Sequence, residues 1–135
     1  MKIVFADTSF YIALTTPKET AHSAAKSQSD TYTGQLLTTE YVVVELGNFY
    51  SKFGMRSAFI AIYDAVLQDE RTTVLPCDGA ILKRAVELYR TRRDKEWSLT
   101  DCTSFVVMKD YDVQEALTTD HHFRQAGFTA LLSLE

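Results

Sequence analysis

The sequence has few cysteines, few prolines and no Pro/Gly-rich linker. Two cysteines, Cys77 and Cys102, lie in unrelated contexts, so neither a disulfide nor a Cys-x-x-Cys metal site is indicated, and we expect both to be small buried residues. Only two prolines occur, and no repeat or low-complexity tract interrupts the chain. A length of 135 residues with 46% hydrophobic content therefore predicts a single domain over residues 1–135.

Long apolar runs are also missing. Stretches such as residues 41–44 and 130–132 are far shorter than the roughly 20 residues that cross a bilayer. The first ten residues, MKIVFADTSF, reach Asp7 without the apolar region or cleavage pattern of a signal peptide. We therefore predict no membrane span and a cytoplasmic location. The net charge of −4 argues against a protein that coats nucleic acid by bulk positive charge.

Strand patterns alternate with helix patterns along the chain. Short β-favouring runs predict strands over residues 2–6, 35–38, 72–76, 115–119 and 129–134. Helical spacing predicts helices after Asp7, over 20–29, from Thr39 through Phe53 to a stop at Gly54, over 57–67, after Asp78, and from Ser98. This alternation predicts an α/β fold, a three-layer α/β/α sandwich around a central parallel sheet.

Four acidic residues stand where such a sheet could bring them together. Asp7 and Asp120 follow predicted strands, Asp101 lies in the first turn of a helix, and Glu45 is an isolated charge in an apolar helix. Ligands bind at the carboxyl ends of parallel strands. Each residue also has a simpler interpretation: Asp7 as a helix cap, Asp101 as the last residue of a Ser-Leu-Thr-Asp capping box, Asp120 as a turn residue, and Glu45 as a surface glutamate.

The chemistry of four converging carboxylates would require a counter-charge. Two carboxylates about 4 Å apart repel by roughly 4 kcal/mol at an effective dielectric of 20, so the set needs protons or divalent cations. Mg²⁺ or Mn²⁺ is the natural choice, because hard cations prefer oxygen ligands. Such a site can activate a water molecule and neutralise a phosphodiester. The pattern therefore predicts nuclease chemistry.

Four segments in order, IVFADTSF, TTEYVVVELGNF, SLTDCTSFVVM and ALTTDHHFRQAGF, resemble the PIN-domain ribonucleases, especially VapC-type toxins of toxin–antitoxin pairs. The resemblance implies a PIN-like fold and an Mg²⁺- or Mn²⁺-dependent endoribonuclease. It implies that one site, both catalytic and metal-binding, contains Asp7, Glu45, Asp101 and Asp120. Ser9 and Thr118 occupy the places of supporting polar residues. The sequence departs from many relatives at His122, where they carry a second acidic residue.

The resemblance also implies an RNA substrate and a cognate antitoxin. Basic residues concentrate in one stretch, at Lys83, Arg84, Arg90, Arg92, Arg93 and Lys95. This stretch is either a solvated helix face or an edge that follows RNA phosphates, with Trp97 or Tyr89 available for base stacking.

Aromatic residues in the two central helices exceed what one face of a small core absorbs. They are Tyr41, Phe49, Tyr50, Phe53, Phe59 and Tyr63. Surplus aromatic side chains favour interfaces, so we expect a homodimer, although all six could instead belong to the core.

Three other functions fit part of the pattern. A receiver-like, Mg²⁺-binding signalling module would carry paired acidic residues after the first strand and a lysine after the last functional strand, whereas this chain has a lone Asp7 and Thr118-Thr119-Asp120. Asp-His-His is also a signature of Mn²⁺ phosphoesterases, whose other acidic motifs are missing from this sequence. A PIN scaffold that binds RNA without cutting it is distinguished by a cleavage assay with metal.

Overall fold

A computed structural model describes residues 2–132, and its strands form one parallel sheet. The strands are β1 (Ile3–Ala6), β2 (Gln35–Thr39), β3 (Thr72–Leu75), β4 (Glu115–Leu117) and β5 (Thr129–Ala130). They lie in the order β3-β2-β1-β4-β5, and every neighbouring pair is parallel. Parallel pairing requires crossover connections, and helices supply them.

The helices cover both faces of this sheet. They are α1 (Thr8–Thr15), α2 (His22–Thr31), α3 (Glu40–Phe49), α4 (Arg56–Gln68), α5 (Gly79–Thr91), α6 (Leu99–Asp110) and α7 (His121–Gln125). Helices α1 and α3 contact each other, α2 packs on α1, and α4 packs on α3, while α6 contacts both α5 and α7. Right-handed crossovers place α1 to α4 on one face and α5 to α7 on the other, and α3 and α6 also contact each other. The predicted three-layer sandwich is confirmed.

Helix α6 is the most buried helix of the described chain. Its residues from Asp101 to Met108 are all buried, so this stretch has no solvent-exposed face, as expected for a helix surrounded by protein. On one side Phe105 packs edge-on against Phe123 at 5.0 Å between ring centres, and Phe123 in turn lies 6.3 Å from Phe5 of β1. These contacts fix the start of α6 relative to the end of β1.

The strand order reverses direction beside β1. The chain proceeds from β1 to β2 and β3 on one side, and then crosses to β4 on the other side. The carboxyl ends of β1 and β4 therefore flank the crevice where parallel α/β sheets bind ligands. Asp7 directly follows β1, and Asp120 lies in the short segment after β4.

Several element boundaries differ from the sequence prediction. The helix expected to run from Thr39 to Gly54 ends at Phe49, and Gly54 adopts a positive φ of 86° in the turn before α4. Strand β4 stops at Leu117 instead of Thr119. The last predicted strand, 129–134, reduces to Thr129–Ala130, and its final two residues lie outside the described part of the chain.

Burial also corrects one prediction and excludes the alternative that all six aromatic residues of the central helices belong to the core. Cys102 is buried, as expected, but Cys77 is exposed, because it lies in the loop after β3, where its backbone N–H donates to Glu40 Oε1 at 2.7 Å. Among the surplus aromatic residues, Tyr50 belongs to the core, whereas Phe53 is fully exposed and Phe49 is 47% exposed. None of the helices in residues 2–132 is long and apolar enough to cross a membrane.

Candidate metal centre

A pocket of about 360 Å³ opens at the carboxyl ends of β1 and β4. Its lining includes all four predicted acidic residues, Asp7, Glu45, Asp101 and Asp120. We call it the acid pocket. No lysine or arginine is among the lining residues that the structure describes. The pocket therefore lacks the lysine that a receiver-like module would need. The structure thus brings the predicted residues together without a lysine or arginine to neutralise them.

Asp7 is held in place by two hydroxyl groups. Its Oδ2 accepts hydrogen bonds from Ser9 Oγ and Thr118 Oγ1, both at 2.9 Å. The same two hydroxyl oxygens accept from backbone amides after β4: Thr119 N donates to Ser9, and Asp120 N donates to Thr118, each at 3.0 Å. Ser9 and Thr118, predicted as supporting residues, therefore join the end of β1 to the segment that carries Asp120.

Glu45 reaches the pocket from α3. Its Oε1 accepts a 2.6 Å hydrogen bond from Thr8 Oγ1, at the start of α1. Thr8 is next to Asp7 in sequence and is itself buried, so this bond ties the Glu45 side chain to the residue that follows Asp7. Glu45 is half-buried, and the interpretation of Glu45 as a surface glutamate does not describe its position.

Asp101 has both of the positions predicted for it. It completes a capping box at the start of α6: Ser98 Oγ accepts from Asp101 N at 3.0 Å, and Ser98 N donates to Asp101 Oδ2 at 3.2 Å. The same side chain lines the acid pocket. Its Oδ2 also lies 3.0 Å from His122 Nδ1. Capping and a place in the pocket are thus compatible, because one carboxylate does both.

Asp120 caps α7 and also faces the pocket. Its Oδ1 accepts from His122 N at 2.9 Å and lies 3.2 Å from His122 Nδ1. His121, by contrast, is exposed, with its Nδ1 3.7 Å from the same oxygen. Ligand atoms of Asp120, His121 and His122 all lie within 4.8 Å of one another, so imidazole nitrogens are within reach of a cation at this end of the pocket.

Burial and charge shift the ionisation of two of the carboxylates. Burial raises the pKa of Asp7 to about 7; the nearby Asp101 carboxylate adds to this rise, while the hydrogen bonds from Thr118 and Ser9 oppose it. Burial also raises the pKa of Asp101, and the Asp120 carboxylate adds to it against the opposing effects of Ser98 and His122. The pocket without a cation therefore resists full ionisation near neutral pH.

These features fit a divalent cation. Among the described residues, no hydrogen bond reaches the second carboxylate oxygen of Glu45, Asp101 or Asp120, so each keeps an oxygen for a ligand. Carboxylate oxygens are the donors that Mg²⁺ and Mn²⁺ prefer. A cation would also offset the repulsion that raises the pKa of Asp7 and Asp101. The donor set is therefore that of a hard-metal site.

Several lining residues were not predicted from the sequence as part of the site. Glu96 and Phe49 line the acid pocket, and His122, noted earlier only as a departure, bridges two of its carboxylates. Phe49 follows Glu45 by four positions, a spacing that places two helical residues on one face, so the sequence held a signal for it. Glu96 precedes α6 in a loop and has no such signal.

Trp97 corrects a further prediction. It was considered for base stacking, but only 5% of it is exposed. Its indole N–H donates to Gln125 Oε1 at 3.0 Å, and its ring packs edge-on against Phe105. Trp97 is thus a core residue, whereas Tyr89 is 55% exposed.

Known proteins share this architecture. The PIN domain model matches residues 4–129 of the chain. The 23S rRNA-specific endonuclease VapC20 of Mycobacterium tuberculosis is 28% identical over 127 residues, which cover 93% of this chain and 95% of that protein. The crystal structure of that VapC20, described as a sarcin–ricin loop cleaving toxin, superposes with a TM-score of 0.85 at 26% identity, over 93% of this chain and 95% of the other.

Two more distant structures share the fold. VapBC2 from Rickettsia felis, solved bound to a DNA fragment from its promoter, has a TM-score of 0.66 at 11% identity, over 95% of this chain and 96% of the other. FitAcB from Neisseria gonorrhoeae has a TM-score of 0.65 at 17% identity, over 94% of this chain and 95% of the other.

Proposed function

Because the chain belongs to the PIN-domain family, we propose that it is a metal-dependent endoribonuclease that hydrolyses RNA phosphodiester bonds and acts as the toxin of a toxin–antitoxin pair. The family match and the VapC20 relative confirm the resemblance drawn from the sequence. The observation that carries the proposal is the acid pocket, where four carboxylates line one space at the strand-order reversal and no lysine or arginine is among the described lining residues. We assign this activity to the cytoplasm, where RNA is available.

We assign roles to the predicted residues of the acid pocket. Asp7 and Asp101 would be the principal ligands of Mg²⁺ or Mn²⁺, and Glu45 and Asp120 would complete the site or orient the attacking water. When bound, a divalent cation supplies an activated water and offsets negative charge on the phosphate oxygens. Ser9 and Thr118 hold the Asp7 carboxylate in one orientation through Oδ2, which is the kind of support a precise site requires.

His122 distinguishes this pocket from a purely acidic one. Its Nδ1 contacts Asp101 Oδ2 at 3.0 Å and Asp120 Oδ1 at 3.2 Å, so it limits how far these two carboxylates can separate or rotate. In the proposed enzyme His122 is a positioning residue at the place where many relatives carry an acid. The site accordingly has four carboxylates facing the reacting phosphate, with Glu96 at the rim.

The VapC20 relative suggests which RNA to test first. That protein acts on 23S rRNA and cleaves the sarcin–ricin loop, and we propose ribosomal RNA as the substrate class here. The experiment incubates the purified protein with a hairpin RNA that contains the sarcin–ricin loop, and separately with total ribosomal RNA, in Mg²⁺, Mn²⁺ or EDTA.

We expect cleavage that requires a divalent cation and is lost in Asp7→Asn and Asp101→Asn. Asp30→Asn is the matched control, because Asp30 is an exposed aspartate of α2 outside the pocket. Undiminished cleavage by either pocket variant would contradict the assigned roles. Failure of the wild-type protein to cut either RNA with both metals would contradict the activity itself.

We further propose an antitoxin partner and a homodimer. The structural neighbours include the VapBC2 and FitAcB assemblies. On this chain, exposed apolar side chains collect on α3, α4 and the turn between them, at Val44, Phe49, Phe53, Ile60, Tyr63 and Leu67. A concentration of exposed apolar side chains on neighbouring elements is typical of an interface. A protein segment that covered it would bury side chains that otherwise face water.

A further inference from the structure

We propose that a basic hollow beside the acid pocket binds the RNA phosphate next to the one that is cleaved; this inference rests on the proposed function. The basic hollow has a volume of about 290 Å³. It is lined by Tyr89, Arg92, Arg93, Lys95, Glu96 and Trp97. Three cationic side chains thus face one carboxylate, in a protein whose net charge is −4.

The hollow directly adjoins the acid pocket. Glu96 lines both, and Cys102, which also lines the hollow, follows Asp101 in α6. On this shared boundary we place the phosphate that neighbours the one over the four carboxylates. The anionic pocket needs such help, because its own carboxylates repel the RNA backbone.

Several contacts hold Trp97 and Arg92, two of the side chains that line the hollow. Trp97 is buried, its N–H donates to Gln125 Oε1 at 3.0 Å, and the guanidinium carbon of Arg92 lies 4.9 Å from the centre of its ring. Arg92 is further held by two hydrogen bonds to Asp94, at 3.1 and 3.2 Å. These contacts orient Arg92 but also offset part of its charge.

Arg93 is the side chain best placed to meet an external anion. It is exposed and forms no ion pair with any residue between positions 2 and 132. An arginine guanidinium can donate two parallel hydrogen bonds to a phosphate group. Lys95 lies 3.7 Å from Asp94 and has a side chain that is only 26% exposed, so it adds charge to the hollow with little freedom to move.

The other basic residues of the same stretch lie elsewhere. Lys83, Arg84 and Arg90 line a different hollow on α5 that shares no lining residue with the acid pocket. Arg84 is already paired with Asp110 at 2.6 Å. The stretch is therefore not one uniform solvated face: its first half belongs to α5, and its second half turns towards the acid pocket. We therefore assign the phosphate site to the second half only.

The test measures binding of a fluorescein-labelled sarcin–ricin hairpin RNA by anisotropy in EDTA, for wild type, Arg93→Gln and Lys83→Gln. Each phosphate contact contributes about 0.7 to the slope of log affinity against log salt for single-stranded RNA. We expect Arg93→Gln to weaken binding about tenfold and to lower the slope by about 0.7. Lys83→Gln, an equal loss of charge on α5, should leave the affinity and the salt slope nearly unchanged. Equal effects of the two variants would overturn the proposal in favour of bulk charge.

A second arm locates the phosphate. Once wild-type cleavage has been mapped, one phosphate beside the cleaved bond is replaced by a neutral methylphosphonate. We expect the wild type to bind this RNA about tenfold more weakly than it binds unmodified RNA. Arg93→Gln, which lacks the phosphate contact, should bind the two RNAs equally. If the losses of affinity from Arg93→Gln and from the methylphosphonate add, the proposal is overturned. It is also overturned if Arg93→Gln binds RNA as tightly as wild type does, a result that would assign the hollow to an acidic protein partner. If the wild type cuts neither RNA but keeps the Arg93-dependent slope, the proposed nuclease function fails while the phosphate site stands.

Discussion

His122 Nδ1 lies between two carboxylates, 3.0 Å from Asp101 Oδ2 and 3.2 Å from Asp120 Oδ1. The contact with His122 lowers the pKa of Asp101 against the opposite effect of burial. We therefore predict that His122→Ala raises the pKa of Asp101 further. Titration of the carboxyl carbon by NMR in protein free of metal measures this. His121→Ala is the matched control, because His121 is exposed and is not a cause of the Asp101 shift; an unchanged Asp101 pKa in His122→Ala would contradict the assigned contact.

The buried Asp7 predicts a pH-dependent loss of stability in the absence of metal. Its pKa is raised from 3.8 to about 7, so between these values the folded state binds more protons than the unfolded state. The free energy of unfolding therefore falls as pH rises through this window and levels off above it. Asp7→Asn removes this effect. We expect the variant to be more stable than wild type by on the order of 2–4 kcal/mol at pH 8.

Urea denaturation in EDTA at pH 5 and pH 8 checks that prediction. The advantage of Asp7→Asn should shrink at the lower pH, because Asp7 is then mostly protonated in the folded wild type. Asp30→Asn, on the exposed face of α2, should show no such difference between the two pH values. A constant advantage of Asp7→Asn at both values would mean that ionisation is not its cause.

Asp101→Asn separates capping from cation binding. Asparagine caps helices about as well as aspartate, and its side-chain oxygen can still accept from Ser98 N. We expect an intact fold without metal, with an equal or higher melting temperature because carboxylate repulsion is relieved. Calorimetry should show a sharp loss of Mn²⁺ affinity. Retained affinity would leave Asp101 with the capping function alone.

The Thr118 hydroxyl is predicted to stabilise the site through its hydrogen bonds with Asp7 and with Asp120 N; it also lies 3.0 Å from Ser9 Oγ. Thr118→Val removes the donor to Asp7 and the acceptor for Asp120 N while nearly keeping the side-chain volume. We expect a loss of about 1–3 kcal/mol in the free energy of unfolding and a further rise in the pKa of Asp7. Thr38→Val is the control, because the buried Thr38 donates to a backbone carbonyl of Ala6 and not to a carboxylate. Equal pKa values of Asp7 in the two variants would contradict this role.

The exposed apolar surface of α3 and α4 predicts self-association. Ile60 of α4 is 52% exposed, and a charge introduced there would have to be desolvated in an interface. We expect sedimentation at micromolar concentration to show a dimer for wild type and a monomer for Ile60→Glu. Leu82→Glu, at an exposed apolar position of α5, should remain dimeric. A monomeric wild type would remove the homodimer from the proposal.

The parts of the site that depend on local sequence were predictable. The capping box that contains Asp101 depends on residues within one helical turn, and Asp7 follows a strand that its own β-branched and aromatic residues favour. The end of α3 was not predictable in this way, because apolar spacing continues through Phe53, whose side chain is nevertheless fully exposed. Trp97 was misjudged because its burial depends on Phe105 and Gln125, whose positions are set by tertiary packing.

The hydrogen bond between Thr118 and Asp7 joins residues 111 positions apart. Translation proceeds from the N-terminus, so Asp7 and Glu45 leave the ribosome long before Asp101 and Asp120 exist. Contacts between such distant segments also form late, because a long loop must close first. A nascent chain therefore carries only half of the carboxylates, and the proposed nuclease cannot damage RNA during most of its own synthesis. The four carboxylates come together only when β4 inserts beside β1.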